Sequence, residues 1–310
     1  MNTDLDALDI AVLIPCRNES LTIEKVVADF RSALPGAVVY VYDNRSTDDT
    51  AEIAARAGAV VREEGWPGKG NVVRRMFADI EADIYLMVDG DDTYDAAAAP
   101  EMARRLIAER LDMLVAVRDG RHRRYHGFGN RLFNIIYRRL IGRQFSDIFS
   151  GYRAFSHRFV KSFPAISSGF EIETEMSVHA SLLRMPVAEM TTSYGERPKG
   201  SVSKLNTVRD SLRILRTILY LFKEIRPALF FSILAALFAV TAVGLGIPLL
   251  ETYIETGLVP RFPTAILATG LMILAALSLA CGLILDTVAQ GRLEQKRILY
   301  LAIHHLKQQQ

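Results

Sequence analysis

Two stretches of this 310-residue chain contain no charged residue at all, Pro227–Leu250 and Phe262–Leu285, and they constrain the fold more than anything else in it. Each has 24 residues. As a helix that is roughly 36 Å, against a bilayer hydrocarbon core of about 30 Å. The competing reading is a helical hairpin buried in a soluble core, but core helices of that length keep a polar face. The segment between the stretches is short and carries Glu251, Glu255 and Arg261. The outer flanks are basic, with Lys223 and Arg226 before the first stretch and Arg292, Lys296 and Arg297 after the second. The positive-inside rule then places both termini in the cytoplasm. The first apolar run, Ile10–Ile14, is too short for a signal peptide.

The expected organisation is a globular unit over 1–205, a juxtamembrane helix over 206–226, spans over 227–250 and 262–285, and a basic tail over 286–310. In the juxtamembrane segment Val208, Leu212, Leu215, Leu219, Phe222 and Ile225 recur at nearly helical spacing, with Arg209, Arg213, Arg216 and Lys223 interleaved. That pattern suits an amphipathic helix lying on a membrane, or a helix packed on the globular unit. Composition excludes a disordered or low-complexity chain, since 50% of residues are apolar and 23% charged. A net charge of +2 gives no general reason to expect nucleic acid. Cys16 and Cys281 are too few for a disulfide framework and are expected to be buried apolar residues.

Over residues 10–117 short apolar runs alternate with helical patterns. The runs are Ile10–Pro15, Ala37–Tyr42, Ala59–Val61, Ile84–Asp89 and Met113–Val117. Ile23, Val26, Val27, Phe30 and Leu34 share one helix face; Val73, Met76, Phe77 and Ile80 share another. Ser46-Thr-Asp-Asp49 has the form of a capping box. Strand–helix alternation predicts a doubly wound, mostly parallel α/β sheet whose ligand sits outside the carboxyl ends of its strands. Those ends carry Pro15-Cys-Arg-Asn-Glu19, Asp43-Asn-Arg45 and Asp89-Gly-Asp-Asp92.

The last of these is the sharpest chemical signal. Three carboxylates in four residues repel one another unless a cation or solvent screens them. Hard oxygen ligands at a strand end suit Mg²⁺ or Mn²⁺ bridging a diphosphate, and Gly90 lets a ligand approach the backbone. A solvated acidic turn is the plain alternative. The turn after the first strand lacks the glycines of a dinucleotide site, and Gly65-Trp-Pro-Gly-Lys-Gly70 does not match a Walker phosphate loop. Lys69 there is placed either to meet a phosphate or a base, or on a surface turn.

The ordered set Pro15…Asn18-Glu19, Asp43…Ser46-Thr-Asp48, Gly68-Lys-Gly70 and Asp89-x-Asp91 resembles the family-2 glycosyltransferases of GT-A fold. Asp147-Ile-Phe-Ser-Gly-Tyr-Arg153, Gly169-Phe-Glu171 and Glu196-Arg-Pro-Lys-Gly-Ser201 are similar to the dolichyl- or polyprenyl-phosphate sugar synthases within that family. The resemblance spans about residues 8–205. It implies that Pro15, Arg17 and Glu19 line a base and ribose pocket and that Asp43 meets the base or ribose. It implies that Asp89 and Asp91 hold the nucleotide sugar with a metal, Asp91 being the better ligand. Asp92 has no counterpart role. The Gln-x-x-Arg-Trp of processive polysaccharide synthases is missing, the single tryptophan being Trp66.

Arg197 and Lys199, on a Pro/Gly-rich segment, are expected to fold over the diphosphate or to form a solvated linker. Asp147 is the candidate nearest the attacking oxygen, as a base or as an orienting group. Arg153 is expected either to bind the acceptor phosphate or to pair with Asp147. Arg118 and Arg131 are candidates for the lipid phosphate, since a guanidinium grips that group through two bonds. The other arginines of the stretch Arg118–Arg143 suit an anionic membrane surface better than nucleic acid. Glu171, Glu173 and Glu175 alternate, Glu171 and Glu175 on one helix face; either one of them buttresses an active-site arginine or they form an exposed acidic helix start.

The expected function is therefore an inverting glycosyltransferase. It moves one sugar from a nucleotide diphosphate, uridine favoured over guanosine, to polyprenyl (undecaprenyl) phosphate. It does so on the cytoplasmic face of a bacterial inner membrane, for the cell envelope, with Mg²⁺ or Mn²⁺. The lipid bilayer is a partner, self-association is open, and nucleic acid is not expected. The alternatives are a diacylglycerol or protein acceptor, or a non-catalytic membrane-anchored partner that binds nucleotide sugar.

Overall fold

The computed structural model of the chain describes residues 5–118, 145–169, 171–195, 220 and 222–306. It divides into two compact units, one of residues 1–210 with 296–310, the other of residues 211–295. Arg131, Arg197, Lys199 and the bulk of the juxtamembrane segment lie outside the described residues.

The first unit is built on one seven-stranded sheet of order β3-β2-β1-β4-β6-β5-β7. Its early strands are β1 (Ile10–Cys16), β2 (Val38–Asp43), β3 (Val60–Glu63), β4 (Ile84–Met87) and β5 (Met113–Arg118). These five coincide with the expected apolar runs. β1 is buried almost throughout because it is central, paired in parallel with both β2 and β4. A strand covered on both faces needs a continuous apolar run rather than alternation. The helices α1 (Ile23–Ala33), α2 (Thr50–Arg56), α3 (Lys69–Asp79) and α4 (Ala99–Ala108) connect the strands. α1 buries the face of Ile23, Val26, Val27 and Phe30 that its spacing predicts.

Two strands had no signal in the sequence: β6 (Arg153–Ser156) and β7 (Val187–Thr192). β6 runs antiparallel to both β4 and β5, while β7 pairs in parallel with β5. Between them lie α5 (His157–Ser162) and α6 (Ile172–Leu182). Because β6 is reversed, its amino end lies at the same edge of the sheet as the carboxyl ends of β1, β2, β4 and β5. The turn leading into β6, residues 145–152, therefore joins the loops that carry the other candidate residues. The capping box is not formed. Ser46 Oγ accepts instead from the Asn18 N–H at 2.9 Å, and Asp48 Oδ1 takes the Thr50 N–H at 3.2 Å.

The second unit contains α7 (Pro227–Thr256) and the greater part of α8 (Phe262–Ala302), both long and apolar enough to cross a membrane. Pro227 opens α7, where its missing N–H costs nothing. Gly257, at φ 68°, closes it in the left-handed conformation. Gly282 packs against Phe231 and Ala228. Cys16 is buried as expected, but Cys281 is exposed. It sits on a helix whose apolar side chains point outward rather than into a protein core. α8 also continues well beyond Leu285, so the segment expected as a basic tail is helical through Ala302.

Candidate active site

The loops after β1 and β2 are laced together by reciprocal bonds. Asn18 Oδ1 accepts from the Thr47 N–H at 2.8 Å, the Glu19 N–H donates to Thr50 Oγ1 at 2.9 Å, and the Asn44 N–H donates to Cys16 O at 2.8 Å. Asn18 and Arg45 hold φ of 52° and 59°, a conformation that asparagine tolerates far better than arginine. Asp43 is buried, with Oδ2 accepting from the Ser46 N–H at 2.9 Å. Its Oδ1 is buried with no hydrogen-bond partner, a polar atom that a ligand at this strand end would satisfy. Pro15 and Glu19 are half-buried beside it and Arg17 is exposed.

Lys69 is not on a surface turn. It opens α3 and lies buried between two carboxylates, its Nζ donating to Asp89 Oδ1 and to Glu173 Oε1, each at 2.5 Å. Burial opposes its charge, but Asp89 and Glu173 outweigh burial and hold the lysine above its ordinary pKa. Glu173 is pushed upward, first by burial and then by Asp89, with Lys69 opposing. Its Oε2 is buried without a hydrogen-bond partner. Of the three alternating glutamates, Glu173 is thus the buttress, and it supports a lysine rather than an arginine. Glu175 instead accepts the Ile166 and Ser167 N–H groups at 2.9 and 2.7 Å. The flanking glycines of Gly68-Lys-Gly70 are explained by the same segment. A Cβ on either would collide with the carbonyls of Ser167 or Ser168, which cross the start of α3.

Asp91 is buried, its Oδ1 accepting from Thr93 Oγ1 at 2.6 Å and from the Thr93 N–H at 3.3 Å. Asp92, at φ 57°, takes the left-handed turn position and pairs with Lys25 at 2.7 Å. Gly90 also meets a packing demand. A Cβ there would lie 2.6 Å from Cys16 Sγ, and the Gly90 carbonyl accepts from Thr22 Oγ1 at 2.6 Å. Among the described residues no group of three His, Cys, Asp or Glu gathers in a form that would hold a metal alone. The pair Asp89 and Asp91 still fits a hard divalent cation of the kind that takes one or two carboxylates and completes its shell with substrate phosphate. Asp91 is the better placed, because Lys69 already engages Asp89.

At the end of β5, Arg118 grips Asp147 through two bonds, Nε to Oδ2 at 2.6 Å and Nη2 to Oδ1 at 2.8 Å. The structure so joins two residues that the sequence singled out separately. Arg153 does neither of the things expected of it. It is wholly buried and bonds Ser150 O at 2.9 Å, Ile148 O at 2.5 Å and Ser177 Oγ at 2.9 Å. Its guanidinium is consumed in holding the 147–151 turn, because β6 begins at Arg153 and turns the side chain into the core. Gly151 lies against Asp89, where any Cβ would collide with the carboxylate. The sequence reading missed Tyr94, whose hydroxyl accepts from the Gly151 N–H at 3.0 Å, and Tyr194, which forms a bridge with Tyr94. The Arg118 guanidinium lies 5.4 Å from the Tyr194 ring centroid.

The model of glycosyl transferase family 2 matches residues 11–163. Glycosyltransferase AglJ of Haloferax volcanii is 37% identical over 250 residues, covering 79% of this chain and 81% of that protein. Protein RfbJ of Shigella flexneri is 59% identical over 112 residues, covering 36% of this chain and 87% of that protein. Among solved structures, glucosyl-3-phosphoglycerate synthase from Mycobacterium tuberculosis, in complex with Mn²⁺, UDP-glucose and phosphoglyceric acid, superposes with a TM-score of 0.58. It is 22% identical, covering 70% of this chain and 80% of that one, and shares the GT-A fold.

Proposed function

This chain belongs to glycosyl transferase family 2 and is a glycosyltransferase of GT-A fold, and we propose that it moves a single sugar from a UDP-sugar to polyprenyl phosphate. The observation that carries the proposal is the convergence of two charged devices at one sheet edge. The first is the Asp89/Asp91 turn with Lys69, and the second is the Arg118–Asp147 pair. The same chain carries two helices that are long and apolar enough to cross a membrane. A lipid-borne anion is the acceptor chemistry that both features suit.

The donor enters at the ends of β1 and β2, where Asp43 Oδ1 meets the base or ribose and Pro15, Arg17 and Glu19 wall the pocket. Asp91, with Asp89, would hold Mg²⁺ or Mn²⁺ beside the diphosphate; the mycobacterial synthase is likewise found in complex with Mn²⁺ and UDP-glucose. Bound there, it would supply positive charge against the departing UDP. Lys69 holds Asp89 in place. On the sequence alone, Arg197 and Lys199 are assigned to the diphosphate as further positive charge. Arg118 receives the acceptor phosphate, which competes with Asp147 for the guanidinium, and Arg131 is assigned to the same phosphate from the sequence alone. A phosphomonoester is largely dianionic at neutral pH, its second pKa being about 6. Asp147 therefore orients Arg118 and the acceptor and need not remove a proton. One phosphate oxygen of the acceptor attacks the anomeric carbon in line as the bond to the UDP oxygen breaks. The electron pair leaves with UDP and the configuration inverts.

We place the reaction on the cytoplasmic face of a bacterial inner membrane, with both termini inside, because the basic flanks of the two apolar stretches favour that side. The test is purified protein in detergent with Mn²⁺ or Mg²⁺, a panel of UDP- and GDP-sugars and undecaprenyl phosphate, the lipid product being read by mass spectrometry. Asp91→Asn is expected to lose at least a hundredfold in rate; full activity in that variant sinks the metal assignment. A product that mild alkali hydrolyses identifies an acyl-glycerol acceptor and overturns the phosphate reading. UDP binding without turnover on any acceptor overturns catalysis itself.

A further inference from the structure

We propose that Tyr94 is a positioning residue that registers the acceptor turn, 147–152, on the donor turn, 89–93. Tyr94 stands three residues after Asp91, so its backbone directly continues the donor turn. Its hydroxyl reaches across to the acceptor turn, accepting the Gly151 N–H at 3.0 Å and lying 3.5 Å from Ser150 Oγ. Ser150 Oγ in turn donates to Ala116 O at 2.5 Å, two residues before Arg118 on β5. Gly151 is the residue whose Cα presses on Asp89, so the hydroxyl sets how closely the two turns approach. The ring is fixed on both sides, edge-on to Tyr152 at 5.5 Å and to Tyr194 at 5.2 Å. A rigid aromatic held by two others has little freedom to let its hydroxyl drift.

The network runs further in both directions. Arg153 fixes the same turn from below through Ile148 O and Ser150 O, and its third partner, Ser177, lies one helical turn after Glu173. Ser177 Oγ donates to Glu173 O at 3.0 Å. Glu173 holds Lys69, and Lys69 holds Asp89. On the other side the Gly195 N–H donates to Thr93 O at 2.8 Å, so the donor turn also anchors the chain just before Glu196. The Tyr94 hydroxyl is a link that a single-atom change removes while the ring and its packing stay. Losing it leaves the Gly151 N–H without its acceptor in a half-buried place. The acceptor turn is then free to shift relative to Asp89 while the donor pocket keeps all its own bonds.

The inference rests on the reading above that the 147–152 turn serves the acceptor, so one readout is independent of turnover. Full-length wild-type and Tyr94→Phe protein are titrated with UDP and Mn²⁺, and amide hydrogen exchange is followed with and without UDP. UDP is expected to slow exchange in the 147–152 peptide of the wild type. Tyr94→Phe is expected to bind UDP within about twofold of wild type and to lose that protection. Where undecaprenyl phosphate is the acceptor, its transfer rate falls about tenfold while donor KM is unchanged, a loss of about 1.4 kcal/mol in the transition state. Protection of 147–152 equal to wild type in Tyr94→Phe overturns the proposal, as does UDP affinity that falls in step with transfer. Ser150→Ala, which keeps the ring in place, is the second variant and is expected to give a smaller loss of protection; none in either variant is a refutation. If wild type transfers nothing to polyprenyl phosphate yet Tyr94→Phe loses protection, the acceptor assignment fails and the coupling stands.

Discussion

Lys69 concentrates the electrostatics of the site in one side chain. Removing its charge leaves Asp89 and Glu173 facing each other with no cation between them. Breaking a buried ion pair from one side costs about 3–5 kcal/mol, so Lys69→Met is expected to be destabilised on that scale and to bind UDP weakly. Glu173→Gln keeps an oxygen for the ammonium and is expected to lose less of both. Thermal unfolding with and without UDP measures the pair; equal stability in Lys69→Met and wild type defeats the claim. A second residue gives a pH dependence. His179 is buried edge-on to Phe159 and Phe163, and burial, then the nearby Lys296, push its pKa down to about 3. The unfolded chain takes up this proton near its ordinary value of about 6.5, the folded one far lower, so stability present above that value is lost as the pH falls toward 3. Melting temperature is expected to drop between pH 7 and pH 5, and His179→Phe to flatten that slope; equal slopes would count against it. Asp89, Asp91, Arg118 and Asp147 were legible because charge at strand ends is conspicuous in a chain with apolar strands. The partner of Lys69 was not, because it lies 104 residues away. Arg153 read as a site residue because it closes the Asp147–Arg153 motif, and only the reversed strand shows it buried.

The elements that the sequence disclosed are those with an unbroken physical period. β1 through β5 are apolar runs and α1 is a clean stripe, so each could be drawn before any pairing was known. Of α6 only the acidic start was legible, because the residues it buries include Glu173, Thr174, Ser177 and His179, whose polar groups obscure a face that is interior all the same. β6 was hidden for a similar reason, being four residues long and starting with an arginine. Where the chain crosses the start of α3, geometry rather than period decides, and three glycines make the test. Gly68, at φ 122°, and Gly70 both lie against the Ser167–Ser168 backbone, whereas nothing lies within 4 Å of a Cβ at Gly65. Overpacking of backbone costs about 1–3 kcal/mol, so Gly70→Ala is expected to fall in that range and Gly68→Ala, strained as well as crowded, at its top. Gly65→Ala is expected to stay within about 0.5 kcal/mol of wild type, as surface changes do. Urea unfolding of the three variants orders them, and a destabilised Gly65→Ala alongside a neutral Gly70→Ala reverses the account.

At the scale of the whole chain, the sequence divided cleanly into a globular part, two apolar stretches and a tail, and it is the tail that the structure reassigns. Residues 286–310 read as a solvated basic end because Arg292, Lys296 and Arg297 dominate them. Yet the chain from Lys296 onward returns to the first unit. There it docks at the edge of the sheet opposite the candidate site. Tyr300, buried on the last turns of α8, donates its hydroxyl to Asp112 Oδ2 at 2.6 Å, and Arg158 stacks 4.3 Å from the Tyr300 ring centroid. Arg297 donates to Leu183 O at 3.0 Å, and His305 Nε2 lies 2.9 Å from Leu111 O. Asp112, which immediately precedes β5, is fully buried and is also served by Ser156 and Arg158. A buried carboxylate that loses one donor pays for its desolvation, about 1–3 kcal/mol. Tyr300→Phe is therefore expected to lower stability by that amount with the ring still stacked on Arg158. Deletion of 296–310 removes the hydroxyl, the ring and the Arg297 and His305 bonds together, and is expected to lower it further. Because Asp112 and Arg118 bound the same strand, transfer should weaken only as folding does, with UDP affinity per folded molecule unchanged. A solvated tail makes the opposite forecast, a Tyr300→Phe protein that melts with wild type and a truncated one that matches both.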